Sequence, residues 1–103
     1  MSFKVEFGAA AEAEFDEAFA WYEKQSQGLG SELARAMRVA EAMLIRDPER
    51  FPVLYVSSSN RRVHRVLLRR FPYSMHYLIN DRSVMVLAFM QASRDPMRWE
   101  RDV

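Results

Sequence analysis

A chain of 103 residues, half of them hydrophobic, 28% charged and none cysteine, has the length for one domain over 1–103 and not for two, and it excludes a disulfide framework, a thiolate nucleophile and a cysteine zinc site. Its net charge of +1 hides a division, −4 over residues 1–50 and +5 over residues 51–103, and thirteen of its fifteen basic residues are arginines, which favour bidentate contacts with carboxylate or phosphate and so an acidic partner. The longest apolar run, Val84 to Met90, has seven residues against the ~20 of a membrane span, and Met1 to Phe7 lacks the apolar stretch of a secretory signal, so a cytoplasmic protein without membrane association is expected.

Phe3, Val5 and Phe7 alternate with Lys4 and Glu6, the period of a short strand with one buried face. A helix is predicted from Ala9 to about Gln25: Phe15, Phe19 and Tyr22 recur at helical spacing beside Ala11 and Ala18, while Glu12, Glu14, Asp16, Glu17 and Glu23 read as its solvated face. Gly28-Leu29-Gly30 breaks the pattern where positive φ is expected at both glycines. A second helix begins near Ser31, carries Leu33, Met37, Ala40 and Leu44 on one face, and stops at Asp47-Pro48. So short a connection predicts an antiparallel helical hairpin.

The period then changes to that of strands over Phe51 to Val56, Arg62 to Arg69, Tyr73 to Ile79 and Val84 to Gln91, the last three read as an antiparallel meander in one curved sheet. Strict alternation in the last strand sends Val84, Val86, Ala88 and Met90 one way and Met85, Leu87 and Phe89 the other. A hairpin covers only one face, which leaves the other to a C-terminal segment, a second copy or a partner protein. Asp95-Pro96 predicts a short C-terminal helix over Met97 to Asp102. The fold class is therefore α+β.

Chemistry-bearing residues are few. His64 and His76 lie twelve apart with no ligand-spaced neighbour, so no metal or cofactor is expected, and His76 reads either as a general base or as a histidine satisfied by neighbouring strands. No phosphate loop or nucleophile elbow is present. Arg61, Arg62, Arg65, Arg69 and Arg70 crowd ten residues; with Arg94 and Arg98 they form either an anion-recognition patch or the charged edge that discourages aggregation. Trp99 beside Arg98 offers packing on the open sheet face.

The order of elements, together with Ala20-Trp21-Tyr22-Glu23, Gln27-Gly28-Leu29-Gly30, Phe71-Pro72-Tyr73, His76-Tyr77 and Arg94-Asp95-Pro96 with Trp99, resembles the RelE/ParE superfamily of bacterial toxins, over nearly the whole chain. The ParE branch is the more similar in these strings. It implies the toxin of a type II toxin–antitoxin, or plasmid stabilisation, module that inhibits DNA gyrase and is neutralised by a small antitoxin carrying an acidic amphipathic segment. Homodimers or toxin–antitoxin hetero-oligomers are the assemblies to expect. The doubly apolar last strand, the basic second half and the arginine–aromatic cluster of the tail place the expected target and antitoxin contacts at Arg62, Arg65, Arg94, Arg98 and Trp99. The RelE branch implies ribosome-dependent mRNA cleavage, for which Arg65, Arg94 and His76 are the candidate catalytic residues. Against that branch, Leu67 and Ser74 occupy two positions where it carries basic residues, and Trp99 lies near where it ends in tyrosine. The chain also departs from the ParE-like pattern, with Gln91 where many relatives have a histidine just ahead of the Arg94-Asp95-Pro96 string. An inactive toxin-fold binding module is the third reading.

Overall fold

The structure is a computed structural model that describes residues 2–94. Strand β1 (Lys4–Phe7) alternates exposed and half-buried residues, as its period predicts. Helix α1 (Ala9–Gln25) buries Ala11 and Ala18 and half-buries Phe15, Phe19 and Tyr22, and helix α2 (Leu29–Arg46) buries Leu33, Ala34, Ala40 and Leu44. Between them the chain reverses on Gly28, whose φ of +89° is the left-handed value that favours glycine. Gly30 does not share it. It is already inside α2, where a Cβ would come within 2.8 Å of the Phe19 carbonyl oxygen and 2.9 Å of Glu23 Oε1, so glycine there permits the close approach of the two helices. This corrects the expectation of positive φ at both positions and moves the helix start back from Ser31 to Leu29.

Glu23 is likewise no part of a solvated face. Its carboxylate accepts hydrogen bonds from the N–H groups of Gly28 (3.0 Å, Oε2) and Gly30 (2.9 Å, Oε1). A carboxylate at this position satisfies N–H groups that a helix start leaves without partners and meets the positive end of the helix dipole.

After Asp47 a 3-10 turn, Pro48–Arg50, places proline at its first positions, which delays the next strand to β2 (Val53–Val56) rather than Phe51. Strands β3 (Arg62–Leu67), β4 (Tyr73–Asn80) and β5 (Ser83–Gln91) follow. The sheet runs β1-β5-β4-β3-β2, antiparallel throughout except that β1 pairs parallel to β5. The α+β class thus holds with a mixed sheet. The C-terminal helix expected over 97–102 lies outside the described residues.

Both helices pack on one sheet face, where Tyr73, Met75 and Tyr77 of β4 meet Val84, Val86 and Phe89 of β5. Phe89 stacks on Tyr73 (4.9 Å between centroids) and meets Phe15 edge-on (5.3 Å), and Tyr22 sits edge-on to Phe71 (5.2 Å). The buried Tyr77 hydroxyl donates to the Pro48 carbonyl at 2.7 Å.

Strict alternation in β5 does not hold. Tyr77 pairs with Val86 and His76 with Ala88, so Leu87 is an extra residue in a β-bulge, and Phe89 joins Val84 and Val86 on the helix side. Glu14 reinforces the bulge. Because β1 covers β5 only as far as Val86, the Phe89 N–H has no strand partner and donates instead to Glu14 Oε1 at 3.0 Å.

Candidate functional site

The face of the sheet turned away from the helices is assembled from alternate residues of three strands. On β3 these are Val63, Arg65 and Leu67; on β4, Ser74, His76 and Leu78; on β5, Met85, Ala88 and Met90. Cross-strand pairing sets them in rows, Arg65 beside His76 beside Ala88, and Leu67 beside Ser74 beside Met90. This face is not bare. Val63, Ser74 and His76 are buried at 1%, 0% and 3% exposure, and Met85, Ala88 and Met90 are half-buried, whereas Leu67 is 52% exposed.

Arg65 and His76, two of the three candidate catalytic residues, are thus brought together as direct neighbours. Ser74 Oγ lies 3.4 Å from His76 Nε2, the proton roles depending on the tautomer. His64 is on the opposite face: its Nδ1 is 2.8 Å from the Phe51 carbonyl oxygen and its ring stacks on Tyr77, which makes it a structural residue. Among the described residues no three His, Asp or Glu side chains converge as metal ligands.

The five arginines of 61–70 do not form one patch. Only Arg62 and Arg65 lie on β3, and their spacing of three puts them on opposite faces. Arg61 reaches the end of β4, hydrogen-bonding Asn80 Oδ1 and, at 3.4 Å, the Ile79 carbonyl. Arg69 and Arg70 fall in the β3–β4 loop, and Arg70 pairs with Glu32 of α2 at 3.1 Å. The backbone of Arg94 closes a short 3-10 turn, Ala92–Arg94, directly after β5, and the Ala92 N–H is tied to the Pro72 carbonyl at 2.8 Å. Arg98 and Trp99 lie outside the described residues.

Two grooves escaped the reading of the sequence. One, of about 300 Å³, lies between α1 and the end of β5 and is lined by Glu14, Glu17, Trp21, Tyr73, Phe89 and Gln91 among others. The other, of about 240 Å³, lies between α2 and the β3–β4 loop. Trp21, 55% exposed and edge-on to Tyr22 (4.9 Å), was the sequence signal for the first, an aromatic residue at a polar position of the helix.

Three of the strings that carry the resemblance meet one another in space. Tyr22 packs on Phe71 and Tyr73, and Glu23 binds Gly28 and Gly30, so these strings hold the hairpin to the sheet. Tyr73 N–H closes a tight turn over Pro72 onto the Phe71 carbonyl at 2.8 Å.

No protein-family model matches the chain, and no curated protein matches it in sequence. Among solved structures, a chain described as belonging to the "Chromosomal ParDE TA system from P. aeruginosa" superposes with a TM-score of 0.70, covering 87% of this chain and 96% of that one at 11% identity. No helix among the described residues is long and apolar enough to cross a membrane. At that identity the likeness is one of architecture, and the conclusion it carries is that the chain shares the fold of that chain of the ParDE system.

Proposed function

We propose that the chain is the ParE-type toxin of a toxin–antitoxin module, acting in the cytoplasm by binding DNA gyrase and held inactive by its antitoxin in a hetero-oligomer. The fold likeness to a chain of the ParDE system supports the toxin–antitoxin part of this reading. One feature of the sheet favours binding over RNA cleavage: beside the Arg65–His76 pair stand Leu67 and Ser74, directly opposite each other.

Cleavage at a ribose 2′-hydroxyl needs a base for that hydroxyl, a cation for the phosphorane charge and an acid for the leaving oxygen. At Leu67 and Ser74 this face offers an exposed apolar side chain and a buried hydroxyl instead of cations, and His76, the remaining acid–base group, is itself buried. Gripping a protein surface is less demanding. Arg65 and Leu67 on the sheet, with Arg94, Arg98 and Trp99 beyond its last strand, supply the arginine and aromatic types that dominate interfaces, and Arg62 extends the basic rim.

The test is expression without the antitoxin, following DNA replication, the DNA-damage response and translation in time. Replication arrest and DNA damage are expected before translation falls, with Arg94→Ala and Trp99→Ala relieving toxicity while the purified variants melt as the parent does. Early loss of translation with cuts in ribosome-bound mRNA would overturn the reading and make Arg65, Arg94 and His76 catalytic residues. No toxicity at all would leave a toxin-fold binding module.

A further inference from the structure

The groove between α2 and the β3–β4 loop has an apolar floor and a cationic rim. Ala36, Val39 and Phe71 form the floor, with Val39 half exposed at 50%; Arg35, Arg69 and Arg70 form the rim, with Glu32 its one carboxylate among the described residues. Glu32 is already engaged by Arg70 at 3.1 Å, and that pair holds Arg70 across the mouth of the groove from a backbone φ of +71°. Arg35 and Arg69 are exposed, and among the described residues neither has an ion-pair partner. Among the described residues the balance is three guanidinium groups against one carboxylate around a half-exposed valine.

At about 240 Å³ the groove is smaller than the roughly 300–1,000 Å³ of a small-molecule site, and it suits one or two apolar side chains rather than a nucleotide. An apolar floor within a ring of arginines matches an amphipathic acidic segment, whose aliphatic residue seats on Val39 while flanking carboxylates meet the arginines. A bare phosphate backbone leaves that floor in water. We propose that this groove is a docking site for an acidic amphipathic protein segment, separate from the helix-free face of the sheet. The inference rests on the toxin–antitoxin reading in taking that segment to belong to the antitoxin; binding to the groove itself does not depend on gyrase being the target.

The probe is a fluorescein-labelled peptide of two heptads, with leucine at the first and fourth positions of each and glutamate elsewhere, added to the full chain. Backbone amide spectra recorded with the peptide, with a single-stranded DNA 12-mer and with inorganic phosphate map where each binds. Peptide-induced shifts are expected at Ala36, Val39 and Phe71, with affinity falling as salt is raised from 50 to 300 mM. The double variant Arg35→Glu/Arg69→Glu and, separately, Val39→Asp should each weaken binding by about tenfold or more. Both changes are on exposed side chains, so unchanged thermal melts verify the fold. Failure of the peptide to bind, shifts confined to Leu67, Met85 and Met90, or DNA or phosphate shifting Arg35 and Arg69 where the peptide does not would each overturn the proposal. In cells the double variant should stay toxic yet escape rescue by the antitoxin, whereas loss of its toxicity would place the groove in the target surface and overturn the assignment. If the parent chain is not toxic, the gyrase reading fails while peptide mapping still decides the groove.

Discussion

Glu23, Gly28 and Gly30 form the smallest unit whose loss the fold should register. Gly28 needs its left-handed φ but faces open space, so Gly28→Ala should cost about 1 kcal/mol. A Cβ at Gly30 would come within 3 Å of the Phe19 carbonyl oxygen of α1, so the two helices must separate to admit it. Gly30→Ala should therefore cost more, ~2–3 kcal/mol as overpacking, a drop in Tm of roughly 10 °C or more for a domain of this size. Equal losses at the two glycines would contradict this assignment of roles.

Tyr77 is the residue through which stability should depend on alkaline pH. Burial first, then the nearby negative charges of Glu49 and Asp47, push its phenol well above the ordinary tyrosine range. In the unfolded chain the phenol ionises near pH 10. The stabilisation from the neutral folded form is therefore complete below about pH 10 and is lost as pH rises from there toward the raised folded value. Urea midpoints between pH 8 and 11 should fall more steeply for the parent than for Tyr77→Phe. At pH 8 the variant should be less stable by ~1 kcal/mol, because the Pro48 carbonyl loses its donor. Parallel pH profiles would show that Tyr77 ionises in the folded protein as it does in the unfolded chain.

At the scale of elements, the bulge in β5 decides which residues are core. Phe89→Ala should cost ~3–5 kcal/mol, the range for a buried phenylalanine, and Met90→Ala, at a half-buried position on the other face, well under half of that. Denaturant midpoints of the two variants would measure the difference; comparable losses would favour unbroken alternation.

The strands and helices themselves were legible because apolar residues recur at the period of the element they form: Phe3, Val5 and Phe7 in β1, and Leu33, Ala40 and Leu44 in α2. The bulge was not. Val84 to Met90 is apolar without interruption, so its residues carry no alternation from which a slip could be read, and the slip is fixed by Glu14, seventy-five residues away in sequence. For the same reason Glu14 and Glu23 looked like solvated charge: their partners are backbone N–H groups, which leave no mark in a sequence. The parallel pairing of β1 on β5 is equally a matter of which edge is left open after the meander forms. At the candidate site, the nearness of Arg65 and His76 follows from the β3–β4 register, whereas the dispersal of Arg61, Arg62 and Arg70 comes from faces and loop ends that a count of arginines does not distinguish.

For the whole molecule, the division of charge seen in the sequence becomes a division of surfaces. The acidic residues concentrate on α1, while residues 51–94 carry seven arginines against Asp81 alone. Such polarity would steer the proposed acidic partner toward the sheet and the β3–β4 loop, with association that weakens as salt rises. Of the strings that carry the resemblance, Tyr22, Glu23, Gly28, Gly30, Phe71 and Tyr73 pack the hairpin together and against the sheet, a role in the fold rather than in target contact. The central claim, that this fold here binds gyrase rather than cuts RNA, is tested most directly by adding the purified chain to gyrase supercoiling and to ribosome-programmed mRNA in parallel. Inhibited supercoiling with intact mRNA is the expected result; codon-dependent cuts on the ribosome with gyrase unaffected would contradict it.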